Sequence, residues 1–200
     1  SERLRVLNMT NRYGETVFHC VATSRGNVEC IKLILALYPE TERVHVLNRF
    51  NRYGETVLHR TARLNNFEDV STILSHYPKS ERLQALSSRS RSGETVLHSA
   101  AFYGNFEVLE AVLALYPESQ RLQAVNSEDS MGKTVLHSAV DGGEFECIKV
   151  ILAVYPESER LRVLSEQDEL RNAMLHNGAD PNDITSVNRI ISSAPDRNDP

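Results

Sequence analysis

The segment Gly93-Glu-Thr-Val-Leu-His98 decides how this chain folds, because close copies of it recur along the sequence. The other copies are Gly14-Glu-Thr-Val-Phe-His19, Gly54-Glu-Thr-Val-Leu-His59 and Gly132-Lys-Thr-Val-Leu-His137. Their histidines lie 39 or 40 residues apart, and His176 continues the same period. Four copies in phase indicate a solenoid, in which similar units stack and each buries its apolar side against the next.

A second motif recurs in step with the first. In the third unit it is Tyr116-Pro-Glu-Ser-Gln-Arg121, and each of the other three units has a similar segment. These segments are Tyr38–Arg43, Tyr77–Arg82 and Tyr155–Arg160. The two motifs together predict four units, over about residues 10–48, 49–87, 88–126 and 127–165.

Each unit is predicted to contain short helices, and the third unit shows why. A first helix, over about residues 95–103, begins at Thr95, a good N-cap, and ends at Gly104, which suits a left-handed C-cap. A second helix, over residues 106–115, has a broad apolar face. The proline that follows stops it and starts a brief third helix over residues 117–125. The sequence therefore predicts an all-α fold.

The composition places the chain in the ordinary globular range. It has 200 residues, of which 24% are charged and 40% hydrophobic, and a net charge of −5. Its apolar runs are broken by charge well before the roughly 20 residues that span a bilayer, and no signal-peptide pattern opens the chain. Three cysteines without metal-type spacing indicate a reducing compartment. We therefore expect an intracellular, cytoplasmic protein that binds neither membranes nor, given its charge, nucleic acid.

The pattern Gly-x-Thr-x-Leu-His-x-Ala, followed after three residues by Gly and then by an apolar helix, resembles the ankyrin repeat. The resemblance covers roughly residues 10–165 and implies an all-α solenoid with short hairpin fingers. It also implies that each repeated histidine pairs with its N-cap threonine and a neighbouring backbone group. The pairs would be Thr16 with His19, Thr56 with His59, Thr95 with His98, and Thr134 with His137.

The units depart from the ankyrin pattern in two ways. Valine stands where the family has proline, at Val17, Val57, Val96 and Val135. Each unit is also about six residues longer than the usual 33, and the excess lies in the Tyr-Pro segment. This long unit also resembles ankyrin proteins exported by intracellular bacterial pathogens, which implies a secreted effector acting in the host cell cytoplasm.

The two ends of the chain differ from the repeated middle. Residues 1–7 match residues 158–164, so the chain is expected to begin inside a repeat, as a fragment of a longer protein. Residues 166–193 are predicted to form a degenerate fifth unit that serves as a C-terminal helical cap. An alternative register aligns residues 174–182 with the end of an ordinary ankyrin second helix. Residues 194–200 are predicted to be disordered.

The histidines and cysteines have a chemical and a structural interpretation. Histidines one unit apart in a solenoid are about 8–10 Å from each other, too far to share a metal ion. His19 and Cys20 are adjacent on a helix and point about 100° apart, with no third group to orient them. Cys30 and Cys147 occupy matching positions and are predicted, like Cys20, to pack in the core. We therefore predict no catalytic residue, no metal site and no cofactor.

The candidate functional residues follow from the resemblance, since ankyrin proteins bind partners through the hairpin tips and the exposed side of the first helices. Phe102, Tyr103, Arg63 and Leu64 are unique to their units, which favours a contact role. Tyr13 and Tyr53 either contact a partner or brace the hairpins. The complete set carried over is Arg12, Tyr13, Glu15, Arg52, Tyr53, Glu55, Arg63, Leu64, Arg91, Ser92, Glu94, Phe102, Tyr103, Ser130, Met131, Lys133 and Asp141.

Charge is distributed unevenly along the chain. Residues 1–100 hold 14 basic and 10 acidic side chains, a net of +4, whereas residues 101–200 hold 8 and 17, a net of −9. Either a partner places its basic region toward the C-terminal half, or these charges are simply solvated helix faces. The predicted function is recognition of another protein by a monomeric, non-catalytic module. The alternatives are a targeting or substrate-recruiting arm of a larger enzyme or secreted bacterial effector, and a structural spacer.

Overall fold

A computed structural model describes residues 2–22, 28–64 and 67–165, and within these ranges all regular secondary structure is helical. None of the described helices is long and apolar enough to cross a bilayer. The described helices are α1 (Glu2–Leu7), α2 (Val17–Val21), α3 (Val28–Ala36), α4 (Glu40–Leu47), α5 (Val57–Ala62), α6 (Phe67–Ser75), α7 (Arg82–Leu86), α8 (Val96–Phe102), α9 (Phe106–Leu115), α10 (Glu118–Val125), α11 (Val135–Gly142), α12 (Phe145–Val154) and α13 (Glu157–Ser165).

The helices recur in groups of three, each preceded by a hairpin turn. Corresponding helices of successive groups lie side by side: α8 contacts both α5 and α11, and α9 contacts both α6 and α12. The three helices expected in the third unit are present as α8, α9 and α10. The predicted all-α solenoid is therefore confirmed.

One continuous hydrophobic core runs along the stack. Leu58, Leu97 and Leu136 hold the same place in three successive first helices, and each is at most 1% exposed. Ile31, Val70, Leu109 and Ile148, which hold the same place in the second helices, are equally buried. Burial of each such side chain contributes about 1.5–3 kcal/mol. Since each unit covers its neighbour, stability comes from the interfaces between units.

The hairpin tips of neighbouring units are hydrogen-bonded to one another through the backbone. In the third unit, the carbonyl oxygen of Ser92 accepts a 2.8 Å bond from the N–H of Ser130 in the fourth. Gly93 follows with φ +79°, and a Cβ there would lie 2.6 Å from the Ser130 nitrogen. Glycine is therefore required for the left-handed turn and for the close approach of the next tip. The same bond joins the N–H of Arg52 to Tyr13 and that of Arg91 to Tyr53.

The Tyr-Pro segment, which lengthens the unit, ties each unit to the one before it. The hydroxyl of Tyr77 donates a 2.9 Å hydrogen bond to Oδ1 of Asn48, the C-cap residue of α4. Burial raises the pKa of Tyr77, so the hydroxyl stays protonated. Arg82 donates from Nε to the Tyr77 carbonyl oxygen (3.4 Å) and holds the segment in place. The other tyrosines pair likewise: Tyr38 with Asn8, Tyr116 with Ser87, and Tyr155 with Asn126.

The expectation that all three cysteines pack in the core is wrong for two of them. Cys147 is fully buried and lies 3.9 Å from the carbonyl oxygen of Ala100, on a first helix of the preceding unit. Cys20 and Cys30 are exposed. In the part of the chain that the structure describes, no first helix of a preceding unit covers this side of α2 and α3. The sequence position is equivalent, but its surroundings are not.

The predictions for the C-terminal end lie outside the described residues. They concern the fifth unit or cap at residues 166–193, including His176 and the alternative register at 174–182, and the tail at residues 194–200. The last described helix is α13, which corresponds to the third helix of its unit.

Candidate functional site

Each first helix is anchored by a threonine and a histidine. In α8, the hydroxyl of Thr95 lies 2.9 Å from Nδ1 of His98, and the Thr95 N–H donates to the same nitrogen at 3.1 Å. Nε2 of His98 lies 3.3 Å from the carbonyl oxygen of Lys133. A carbonyl oxygen can only accept, so Nε2 carries the proton and Nδ1 accepts. Burial lowers the pKa of His98, which keeps the ring neutral.

The same arrangement recurs in the first two units, where it joins the first helix to the next hairpin. Nε2 of His19 bonds the carbonyl oxygen of Glu55 (3.0 Å), and Nε2 of His59 bonds that of Glu94 (3.2 Å). Nδ1 of each pairs with Thr16 or Thr56, and His137 pairs with Thr134. Among the described residues, no three His, Cys, Asp or Glu side chains are grouped as a metal ion would require. The histidines thus position the hairpins.

The adjacent His19 and Cys20 lack the geometry of a nucleophile and its base. Both ring nitrogens of His19 are bonded, to Thr16 and to the Glu55 carbonyl oxygen. Partial burial, with the nearby Glu15 carboxylate, raises the pKa of the Cys20 thiol. A thiol whose pKa is raised ionises less readily and is a weaker nucleophile. The pair therefore does not supply activated-thiol chemistry.

The hairpin tips of the first three units line one groove, with a volume of about 710 Å³. Six residues line it, all of them exposed to solvent and all of them predicted site residues. The rings of Tyr13 and Tyr53 stack with centroids 6.5 Å apart and planes at 24°, and the Arg12 guanidinium lies 4.7 Å from the Tyr13 centroid. The tyrosines therefore brace one another and still present surface to a partner. The lining residues are Arg12, Tyr13, Arg52, Tyr53, Arg91 and Ser92.

Behind this groove lies a cluster of ion pairs that joins the first two units. Glu55 pairs with Arg63 and, at 3.6 Å, with Arg60, and its carboxylate accepts a 2.9 Å bond from Asn51. Arg60 also reaches Glu15 of the preceding hairpin, at 3.2 Å. Glu55 is only 3% exposed, because these partners surround it. The expectation that Glu55 faces a partner is corrected: it positions the two arginines. Glu15 is half-buried in the same cluster.

The sequence reasoning missed Arg60, although a signal for it exists. The residue that follows the repeated histidine is Cys or Ser in the other three units and Arg only in the second. An arginine on the side of a helix that faces a neighbouring unit loses part of its solvation. That loss must be offset by a nearby carboxylate. The carboxylates of the two hairpins supply that partner.

The ends of two first helices form an exposed aromatic patch, which we define as Arg63, Phe102 and Tyr103. The two rings meet edge to face, with centroids 5.1 Å apart and planes at 72°. The Arg63 guanidinium, at the end of α5, lies 5.2 Å from the centroid of Tyr103 in the next unit. Phe102 and Tyr103 are 43% and 46% exposed, and the neighbouring Leu64 is half-buried. The structure thus brings together residues that the sequence places about 40 positions apart.

The fourth tip has the same side-chain-to-backbone turn as the first two tips but different charged residues, with Ser130 in place of arginine and Lys133 in place of glutamate. Its backbone N–H groups at Met131 and Lys133 donate to Oδ1 of Asp129 (2.8 and 2.9 Å), and Lys133 forms an ion pair with Asp141. Met131 is exposed, while the backbone of Ser130 pairs with the third tip. In that third tip, Glu94 is half-buried and accepts a hydrogen bond from Ser92.

These features define a helical repeat solenoid that presents its hairpin tips and first-helix ends on one face. A family model described as ankyrin repeats (3 copies) matches residues 4–82 and again residues 79–160. The matches span most of the chain, so the chain belongs to the ankyrin repeat family, and the resemblance to the ankyrin repeat is confirmed. Comparison with curated proteins gave no match. Repeats of this family are generally protein–protein interaction modules and are typically not catalytic.

Proposed function

We propose that this chain is a non-catalytic module that binds another protein through the aromatic patch and the neighbouring hairpin tips. One observation carries the proposal. Phe102 and Tyr103 are nearly half exposed, yet they are held in a fixed arrangement by each other and by Arg63. The solenoid does not need this arrangement, because its core is made by other residues of the same helices.

The patch has the properties of a binding hot spot. Tyr and Arg are enriched at such sites, where they bring a large contact area and hydrogen-bond donors. Because Arg63 is already oriented by Glu55 and by the Tyr103 ring, binding immobilises few additional rotamers. Hot-spot truncation costs at least about 2 kcal/mol, which corresponds to roughly 30-fold in Kd. We therefore expect this patch to dominate the affinity.

The experiment is a comparative capture from a cell lysate with the native chain and with Phe102→Ala/Tyr103→Ala, quantified protein by protein. The matched control is Leu33→Ala/Leu115→Ala, which removes exposed apolar side chains from second helices α3 and α9. A true partner is retained by the native chain and the control and is lost with the patch variant. Its Kd, measured with purified protein, weakens about 30-fold or more with that variant. Equal affinity for both variants rules out this surface.

We propose further that the protein acts as a monomer inside the cell. The three cysteines, all of which the structure describes, form no disulfide bond, which suits a reducing compartment. Recruitment of a target to a larger enzyme or a secreted effector would use the same surface, and the captured partner would then be the substrate. Sedimentation equilibrium tests the monomer: a concentration-dependent increase in mass would contradict it.

A further inference from the structure

We infer that the groove at the hairpin tips binds an extended acidic peptide segment of the partner, with carboxylates at about every third residue. The inference rests on the proposed function and names the chemistry of the partner. It is carried by Arg12, Arg52 and Arg91, which we define as the arginine row. These residues hold the same place in three successive tips and line one groove together with Tyr13 and Tyr53.

The arginine row carries positive charge that the chain itself does not neutralise. Within the described part of the chain, no carboxylate forms an ion pair with any of the three guanidinium groups. By contrast, Arg60 and Arg63 pair with Glu55 behind the groove, and Lys133 pairs with Asp141. The chain therefore pairs these other cations with its own carboxylates, whereas the arginine row remains available to an external anion. Carboxylates are the ligands that guanidinium groups bind in bidentate geometry.

The spacing of the row fits an extended peptide. Successive tips are joined by 2.9 Å backbone hydrogen bonds, from Arg52 to Tyr13 and from Arg91 to Tyr53, so neighbouring arginines lie one unit apart. One unit of helix packing is about 8–10 Å. A segment in the polyproline II conformation has three residues per turn and rises about 3.1 Å per residue, so acidic side chains three residues apart lie on one face and match the spacing of the row. Tyr13 and Tyr53 line the same groove and are 39% and 53% exposed, so they can contact the intervening side chains.

Charge beyond the row favours a short acidic peptide over nucleic acid. The fourth tip has serine in place of arginine, and Glu128 and Asp129 stand beside it. The row therefore ends after three positions, and a polyanion that continued along the stack would meet carboxylates. Residues 101–200 carry a net charge of −9, which repels a long phosphate backbone. A segment of about seven residues, limited to the first three tips, avoids this repulsion.

The test uses a fluorescein-labelled peptide, Glu-Gly-Ser-Glu-Gly-Ser-Glu, and its counterpart with Gln at each Glu position. Anisotropy titrations compare the native chain with Arg12→Gln/Arg52→Gln/Arg91→Gln. The matched control, Arg5→Gln/Lys32→Gln/Lys79→Gln, removes the same charge from exposed positions outside the tips. We expect the row variant to bind the Glu peptide at least tenfold more weakly and the control less than threefold more weakly. Raising the salt from about 50 to 300 mM should weaken the native complex. Circular dichroism verifies that all variants fold.

Three results would overturn the inference: equal affinity of the row variant and the control, equal affinity for the Gln peptide, or no binding of the Glu peptide. Tighter binding of a ten-nucleotide oligothymidine than of the peptide would assign the row to nucleic acid instead. These outcomes are separable from failure of the proposed function. If partner capture still depends on Phe102 and Tyr103 while the row variant binds like the control, the acidic-peptide inference fails alone. If neither the patch variant nor the row variant differs from its control, both the proposed function and the acidic-peptide inference fail.

Discussion

Replacement of Gly93 by alanine should weaken the contact between the third and fourth hairpins. At φ +79°, an alanine is strained by about 1–2 kcal/mol, and its Cβ would lie 2.6 Å from the Ser130 nitrogen. Since that nitrogen belongs to the backbone, the fourth hairpin must move away. The movement breaks the 2.8 Å bond from Ser130 to Ser92, which adds about 0.5–1.5 kcal/mol.

Gly132 provides a matched control. Its φ is +75°, but of the described residues none lies within 4 Å of a Cβ built there. Gly132→Ala therefore carries the same backbone strain without the collision. In both variants, alanine also stiffens the unfolded chain, which offsets about 0.4–1 kcal/mol. We expect Gly132→Ala to cost about 1 kcal/mol and Gly93→Ala about 0.5–1.5 kcal/mol more.

Urea denaturation followed by circular dichroism at 25 °C measures the free energy of unfolding of the native chain and both variants. Hydrogen exchange at the Ser130 amide should accelerate in Gly93→Ala and stay unchanged in Gly132→Ala. Equal losses of stability would show that backbone strain alone makes glycine necessary. The close approach of the tips would then contribute nothing, contrary to the reasoning above.

Three further predictions concern buried polar groups. His98→Ala should lower the free energy of unfolding by ~1–3 kcal/mol, because Thr95 and the Lys133 carbonyl lose their partner; an unchanged urea midpoint would contradict this. Burial lowers the pKa of His19, His59 and His98 from 6.5, so the unfolded chain takes up protons first. The contribution of these histidines to the free energy of unfolding should therefore be fully present above about pH 6.5 and be lost as the pH falls below that value. Urea midpoints that stay unchanged from pH 8 to 5 would refute this assignment. Tyr77→Phe removes the hydroxyl that bonds Asn48 and should lower the free energy of unfolding by about 0.5–1.5 kcal/mol. Tyr53→Phe, at an exposed ring, should change it by less than about 0.5 kcal/mol. Thermal melts of the two variants, run side by side, measure the difference.

The fold could be predicted from the sequence because residues that act on the local backbone mark the helices of each repeat. Thr95, Gly104 and Pro117 mark helix ends by their own backbone preferences, and the structure begins and ends α8 and α9 beside them. The period then supplies the stacking without any need to identify individual contacts. The prediction that Cys30 packs in the core was wrong for the same reason. The period shows that Cys30 and Cys147 are equivalent positions, but not that a preceding unit covers only one of them.

The candidate site was less predictable, because its geometry depends on contacts between units. The family resemblance located the tips and the first-helix ends, including Arg63 and Tyr103. It did not indicate that Glu55 is buried by Arg60, nor that Tyr77 reaches back to the preceding unit. Such pairs join residues that are close in space but distant in the chain, or that face inward only once two units have stacked. A single sequence can mark a position as unusual, as it does Arg60, but it does not show which side chain that residue contacts.

Hydrogen exchange of the chain, free and bound to its purified partner, tests the central claim most directly. The account predicts added protection at the hairpin tips, over residues 11–15, 51–55 and 90–94, and at the first-helix ends near Phe102 and Tyr103. Helices α9 and α12, whose inner faces make the core, should exchange as they do in the free chain. Protection concentrated on α9 and α12, with unchanged exchange at the tips, would show that the partner binds the opposite face.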